Sequence, residues 1–268
     1  MSASPGKAYL ALPAPWLFAH RGGASLAPEN TFAAFDAAAR LGADAIETDV
    51  RLTRDRTVVV FHDDTTERLC GVPGTIEART LAEVEALDAG AGFTTDGGLT
   101  FPWRGRARVP TLAGALRRYP AIRFNVEAKT ADSALADALA RTIREEDAVS
   151  RVCVGSFDDE QAARLRALLP EACHFLPMGA ATCHVLAAKQ GADASGCPGG
   201  FDVADLPLRT EDGFEVVDAT VVEHFRALGV PVFVWTIDEE AEMRRLLALG
   251  VHGIMTDRPD VLRRVLGR

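Results

Sequence analysis

Short apolar, β-branched runs alternate with longer helical runs along almost the whole chain. That alternation constrains the fold more than any other feature. Strand-like runs fall at residues 16–20, 45–52, 57–61, 122–128, 151–157, 173–177, 216–218, 230–237 and 251–257. Helical runs fall at 32–41, 112–118, 132–146, 159–169, 180–190, 219–228, 239–249 and 259–266. The candidate at 57–61 has no helix before it and reads as the hairpin partner of 45–52. Setting it aside leaves eight β/α units, the count of a TIM (β/α)8 barrel. An open doubly wound sheet also alternates, but no G-x-G-x-x-G turn follows a strand here.

Residues 64–108 interrupt the rhythm. They are rich in Gly, Thr and charge, with one helix expected at Leu81–Ala86. The expected organisation is a single α/β domain over 1–268, with 64–108 inserted after the hairpin and rising over one end of the barrel. A short disordered tail is expected before Trp16, and residues 191–215 read as irregular.

Composition narrows the function. The formal net charge of −9 leaves no general basic face for nucleic acid or anionic membrane. An anionic substrate must therefore meet a local positive site. No run approaches the ~20 apolar residues of a membrane span. Tyr9–Ala19 is apolar but carries Pro13 and Pro15 and runs into charge, so it does not read as a signal peptide. The five cysteines (70, 153, 173, 183 and 197) include no C-x-x-C pair. All five are expected to be reduced and structural, as in a cytoplasmic protein.

The chemistry concentrates between Ala45 and Asp63. Glu47 and Asp49 interrupt an apolar strand two residues apart, so they share a face. An E-x-D in a strand is most often a solvated edge. In an apolar setting, two charges instead need a partner or a metal. A polar turn at Thr53–Arg56 leads into the second run, which ends at His62. Pairing Leu52 with Thr57 sets Glu47 opposite His62, about 5 Å apart between Cβ atoms. A slip of one residue would undo that pairing.

Seven motifs occur in order: His20-Arg21-Gly22, Glu29-Asn30-Thr31, Glu47-Thr48-Asp49, His62-Asp63, Asn125-Val126-Glu127-Ala128-Lys129, Trp235-Thr236-Ile237 and Thr256-Asp257-Arg258-Pro259. Together they resemble the glycerophosphodiester phosphodiesterases, a TIM-barrel family related to phosphatidylinositol phospholipases. Two departures are visible. Asp55-Arg56 stands where the turn often carries Asp-Gly, and Ala128 where a bulkier apolar residue is usual.

The resemblance implies that Glu47, Asp49 and Glu127 hold one divalent cation. An all-carboxylate set suits a hard ion, Mg²⁺ or Ca²⁺. The competing reading for Glu127 is an ion pair with Lys129. His20 and His62 match the family's general acid/base pair, a role that imidazoles fill near neutral pH. His174, His184, His224 and His252 read as structural or surface. Arg21 would grip the phosphate with its fork, and Lys129 would add a second positive charge. Trp235 would wall the head group or simply fill the barrel. Asn30 or Thr31 can cap the first helix, Glu29 and Asn30 read mainly as its brace and cap, and Asp257 as a hydrogen-bond acceptor behind the site.

The implied reaction is hydrolysis of a small glycerophosphodiester to sn-glycerol 3-phosphate and an alcohol. Either water or the glycerol 2-hydroxyl would be the nucleophile. Two rivals are a lysophospholipase D acting on an acylated substrate and a non-catalytic phosphodiester-binding barrel. The second would have lost a metal acid or a histidine, and none is missing. Nothing in the sequence marks a dimerisation helix.

Overall fold

A computed structural model of the protein describes residues 7–268. Part of the tail expected to be disordered lies outside these residues. The rest of that tail is ordered, since Ala8–Leu10 form a 3-10 turn and Tyr9 is buried.

Among the described residues, nine strands make one sheet: β1 (Trp16–Ala19), β2 (Ala45–Leu52), β3 (Val58–Val60), β4 (Arg123–Ala128), β5 (Val152–Gly155), β6 (Cys173–His174), β7 (Ala204–Pro207), β8 (Val232–Trp235) and β9 (Gly253–Thr256). The order is β6-β5-β4-β2-β1-β9-β8-β7, with β3 paired antiparallel to β2 alone. A parallel bridge from Phe175 to Val203 joins the two ends, so eight parallel strands close into a TIM barrel. The longer helices follow the barrel strands: α1 (Phe32–Arg40), α4 (Leu112–Arg118), α5 (Ser133–Glu145), α6 (Asp159–Leu168), α7 (Met178–Gln190), α8 (Ala219–Ala227), α9 (Glu240–Leu249) and, after the last strand, α10 (Pro259–Val265). Short helices α2 (Glu67–Cys70) and α3 (Leu81–Glu85) belong to the 64–108 segment.

Parity along the strands builds two cores. Leu17, Ala19, Ile46, Val126 and Val234 face the helices. Trp16, Phe18, Ala45, Phe175, Phe233 and Met255 fill the barrel with Tyr9. The Phe18 and Phe233 rings meet edge to face at 4.8 Å. Side-chain oxygens start the helices where the sequence offers them, as Thr111, Asp132, Asp158 and Asp218 cap α4, α5, α6 and α8.

β3 divides its neighbours in the same way. Val58 and Val60 join the main core, whereas Val59 and Phe61 pack on Leu69, Cys70, Ile76, Val84 and Ala107. The 64–108 segment thus has a small core of its own, laid against the hairpin. A capping box between Thr80 and Glu83 starts α3.

Four expectations need correction. The seventh barrel strand is Ala204–Pro207, inside the stretch read as irregular, and Val216–Asp218 is not a strand. The hairpin pairs Leu52 with Val58, not Thr57. That one-residue slip removes the direct Glu47–His62 pairing. The turn runs through Arg56 at φ 68°, a conformation that glycine adopts freely and arginine does not. Finally, Cys183 and Cys197 form a disulfide, and only Cys70, Cys153 and Cys173 are free. The cytoplasmic expectation rested on five free thiols and loses that basis. Among the described residues, no helix is long and apolar enough to cross a membrane.

Candidate active site

The C-terminal ends of the barrel strands open into a cavity of about 260 Å³. Its walls include the eight residues assigned from the sequence to acid/base, phosphate or head-group, and metal roles: His20, Arg21, Glu47, Asp49, His62, Glu127, Lys129 and Trp235. The sequence reading missed Asn125, Phe157, Phe175, Asp205 and Met255, which also line it. Asn125 sits two residues before Glu127 on β4, so strand parity could have found it.

Glu47 and Asp49 come from β2, and Glu127 from β4, where Asp49 and Glu127 are register partners. One carboxylate oxygen from each lies within 4.8 Å of the others. Burial and the neighbouring Asp49 push Glu47 up to about 8. The same two causes push Glu127 up to about 7, against Lys129. Burial also opposes ionisation of Asp49, but Arg21, His62 and Lys129 outweigh it, and its pKa is lowered. The positive side chains nearby are therefore too few to keep all three acids ionised. An excess of buried negative charge on a tight oxygen triad is what a divalent cation resolves, so these residues fit one.

The Glu127–Lys129 ion pair is real, with Lys129 Nζ 3.1 Å from Glu127 and 3.6 Å from Asp49. It coexists with the triad instead of replacing it. Asn30 caps nothing. It donates to Asp49 at 2.9 Å and accepts from the Thr48 hydroxyl at 2.7 Å, while Thr31 caps α1. Glu29 likewise braces Arg21, not the helix, accepting its guanidinium at 2.9 Å.

Arg21 binds Glu47 through its backbone N–H at 3.1 Å. Its Nε, 3.4 Å from Asp49, is buried and makes no hydrogen bond. Arg21 and Asn30 both hold positive φ, 48° and 56°. Strain of this kind persists only where the surroundings enforce it. Gly22 makes the turn possible, because a Cβ there would lie 2.7 Å from the Phe35 ring and 2.8 Å from Ala34.

The two histidines have different environments. His20 Nδ1 lies 2.7 Å from Asp257 and Nε2 lies 3.7 Å from Glu47. Burial works against its charged form, but Asp257 and Glu47 outweigh burial and raise its pKa. His62 Nδ1 lies 2.8 Å from Asp63. Burial dominates there, and its pKa is lowered despite Asp49 and Asp63. The register slip therefore leaves His62 at the cavity, carried past the end of β3 by Phe61. Trp235 and Phe157 form an aromatic wall, 5.6 Å apart. Elsewhere, His174 is buried between the carbonyls of Val154 and Leu169, and His184 packs on His224.

The family model for "Glycerophosphoryl diester phosphodiesterase family" matches residues 20–261. A Mycobacterium tuberculosis protein named probable glycerophosphodiester phosphodiesterase 2 is 34% identical, over 92% of this chain and 89% of its own. A Caldanaerobacter subterraneus glycerophosphodiester phosphodiesterase is 32% identical, over 92% of this chain and 95% of its own. A glycerophosphodiester phosphodiesterase structure from Agrobacterium tumefaciens superposes with a TM-score of 0.72 at 28% identity, covering 92% of this chain and 98% of that one. The match runs from the first cavity histidine to the last helix, and the chain belongs to the glycerophosphoryl diester phosphodiesterase family of phosphodiester hydrolases.

Proposed function

We propose that this hydrolase cleaves a small, water-soluble glycerophosphodiester into sn-glycerol 3-phosphate and an alcohol, using one Mg²⁺ or Ca²⁺ held by Glu47, Asp49 and Glu127. The observation that carries this reading is the convergence of an oxygen triad, two imidazoles and two cations in one 260 Å³ cavity. A cavity of that size lined by charge suits a head group. A further fold relative, an Oleispira antarctica phosphodiesterase, was solved with the product sn-glycerol-3-phosphate; it superposes with a TM-score of 0.75 at 23% identity. We read the chain as one domain with 64–108 as an insertion.

A divalent cation bound there would supply Lewis acidity toward the phosphoryl oxygens. The chain's own groups do the rest. Arg21 and Lys129 hold the phosphate and offset charge developing on its equatorial oxygens. His62 donates Nδ1–H to Asp63, which leaves the lone pair of Nε2 to take a proton from the nucleophile. His20, whose charged form Asp257 favours, gives a proton to the departing alkoxide as its P–O bond breaks. Trp235 and Phe157 shield one side of the head group.

Product identity tests the reading. Incubation with glycerophosphocholine should release sn-glycerol 3-phosphate and choline in equal amounts. Release of glycerol and phosphocholine would mean cleavage of the opposite bond and would overturn it.

A further inference from the structure

The guanidinium of Arg68 bridges two carboxylates, Asp63 and Glu29, whose oxygens lie within 4.8 Å of each other beside His62. It donates to Asp63 through Nε at 2.6 Å and NH2 at 2.9 Å. It donates to Glu29 through NH1 at 2.9 Å and NH2 at 2.7 Å. Each carboxylate has a second partner inside the site. Asp63 accepts from His62 Nδ1 at 2.8 Å, and Glu29 accepts from Arg21 NH1 at 2.9 Å. Five side chains thus form one unbroken chain from imidazole to guanidinium: His62, Asp63, Arg68, Glu29, Arg21.

We propose that Arg68, delivered by the 64–108 segment, is a positioning residue for hydrolysis, fixing His62 through Asp63 and Arg21 through Glu29. The inference rests on the roles given above to His62 and Arg21. The local fold explains how Arg68 arrives there. Its helical neighbours Leu69 and Cys70 are buried in the segment's core with Phe61, the residue before His62. That anchors α2 beside the strand end and sets Arg68 within reach of Asp63 and Glu29. Only a planar fork satisfies both carboxylates at these distances, because an ammonium presents a single point charge. Glu29 and Asp63 also repel one another, and Arg68 holds them together. The 64–108 segment, which contributes no wall to the cavity itself, then carries part of the machinery that aligns the proton-transfer group with the phosphate clamp.

The first test reads the ring itself. Histidine ¹⁵N spectra should show His62 as a single Nδ1–H tautomer in the native protein and as a tautomer mixture in Arg68→Ala. This readout does not depend on which substrate is turned over, so a failure of the proposed function and a failure of this inference remain distinguishable. Steady-state kinetics on glycerophosphocholine should then show kcat/KM lower by about 10- to 100-fold in Arg68→Ala. Both kcat and KM should move, the first through His62 and the second through Arg21. Millimolar guanidinium should restore part of the loss, and Arg68→Lys should recover less than half of it. An unchanged His62 tautomer in Arg68→Ala overturns the proposal. So does a kinetic loss that tracks a lowered melting temperature and ignores guanidinium.

Discussion

His20 Nδ1 and Asp257 Oδ1 lie 2.7 Å apart although 237 residues separate them in the chain. The contact exists because β1 and β9 are neighbours in the closed barrel, with Ala19 beside Thr256. It holds the imidazole through Nδ1 and turns Nε2 toward Glu47 and the cavity.

Asp257→Asn should therefore act on the pH profile and not only on the rate. Asp257 raises the pKa of His20, so its removal lowers it. The limb of kcat/KM that belongs to His20 moves to lower pH, and kcat/KM at neutral pH falls about 10- to 100-fold. A rate profile measured across pH 5–9 checks both.

Metal binding should displace protons. Glu47, at about 8, is mostly protonated at pH 7 in the metal-free protein, and Glu127, at about 7, partly so. A cation binds the ionised forms, so each ion should release on the order of one proton at pH 7. Apparent affinity should rise as pH rises from about 6 to 8. Calorimetric titration in two buffers of different ionisation enthalpy measures the release.

The same carboxyls set a stability trend. Between about 4.5 and 8, the folded metal-free state holds a Glu47 proton that the unfolded state has lost. Where the folded state binds more protons, stability falls as pH rises. The melting temperature of the chelated protein should decline from pH 5 to pH 8. His62, His174, His224 and His252, whose pKa values are lowered, oppose the trend only below about 6.5. Saturating Mg²⁺ or Ca²⁺ should remove most of the decline.

The disulfide makes a separate forecast. Thiol titration of the unreduced, denatured protein should count three free cysteines. Closing the 14-residue separation between Cys183 and Cys197 contributes about 3 kcal/mol on the chain-entropy account. Cys183→Ser should lower the unfolding free energy by about that amount in a denaturant titration.

The sequence revealed most of the barrel because its strands are short apolar runs bounded by capped helices. It failed at β7 for a physical reason. Ala204-Asp205-Leu206-Pro207 carries a buried acid and ends in proline, so it lacks an apolar signature, whereas Val216 and Val217 display one without forming a strand. Asp205 is tolerated because Asn125 donates to it at 2.5 Å and burial raises its pKa to about 7. The hairpin register was beyond reach because Thr57 and Val58 are both β-branched, and the turn geometry at Arg56 decided between them. Glu47 and Asp49 were legible because two acids in an apolar strand are costly without a partner, whereas Glu127 joined them only through the family resemblance. The bridge through Arg68 was not, since an exposed arginine in a polar segment looks like any other surface charge.

Dependence on the metal triad is the most direct test of the account. Hydrolysis of glycerophosphocholine would be followed with EDTA, with restored Mg²⁺ or Ca²⁺, and in Glu47→Gln and His20→Ala. The account predicts turnover that vanishes on chelation, returns with the cation, and is lost by at least about 100-fold in both variants. Turnover indifferent to EDTA and to both substitutions would contradict it.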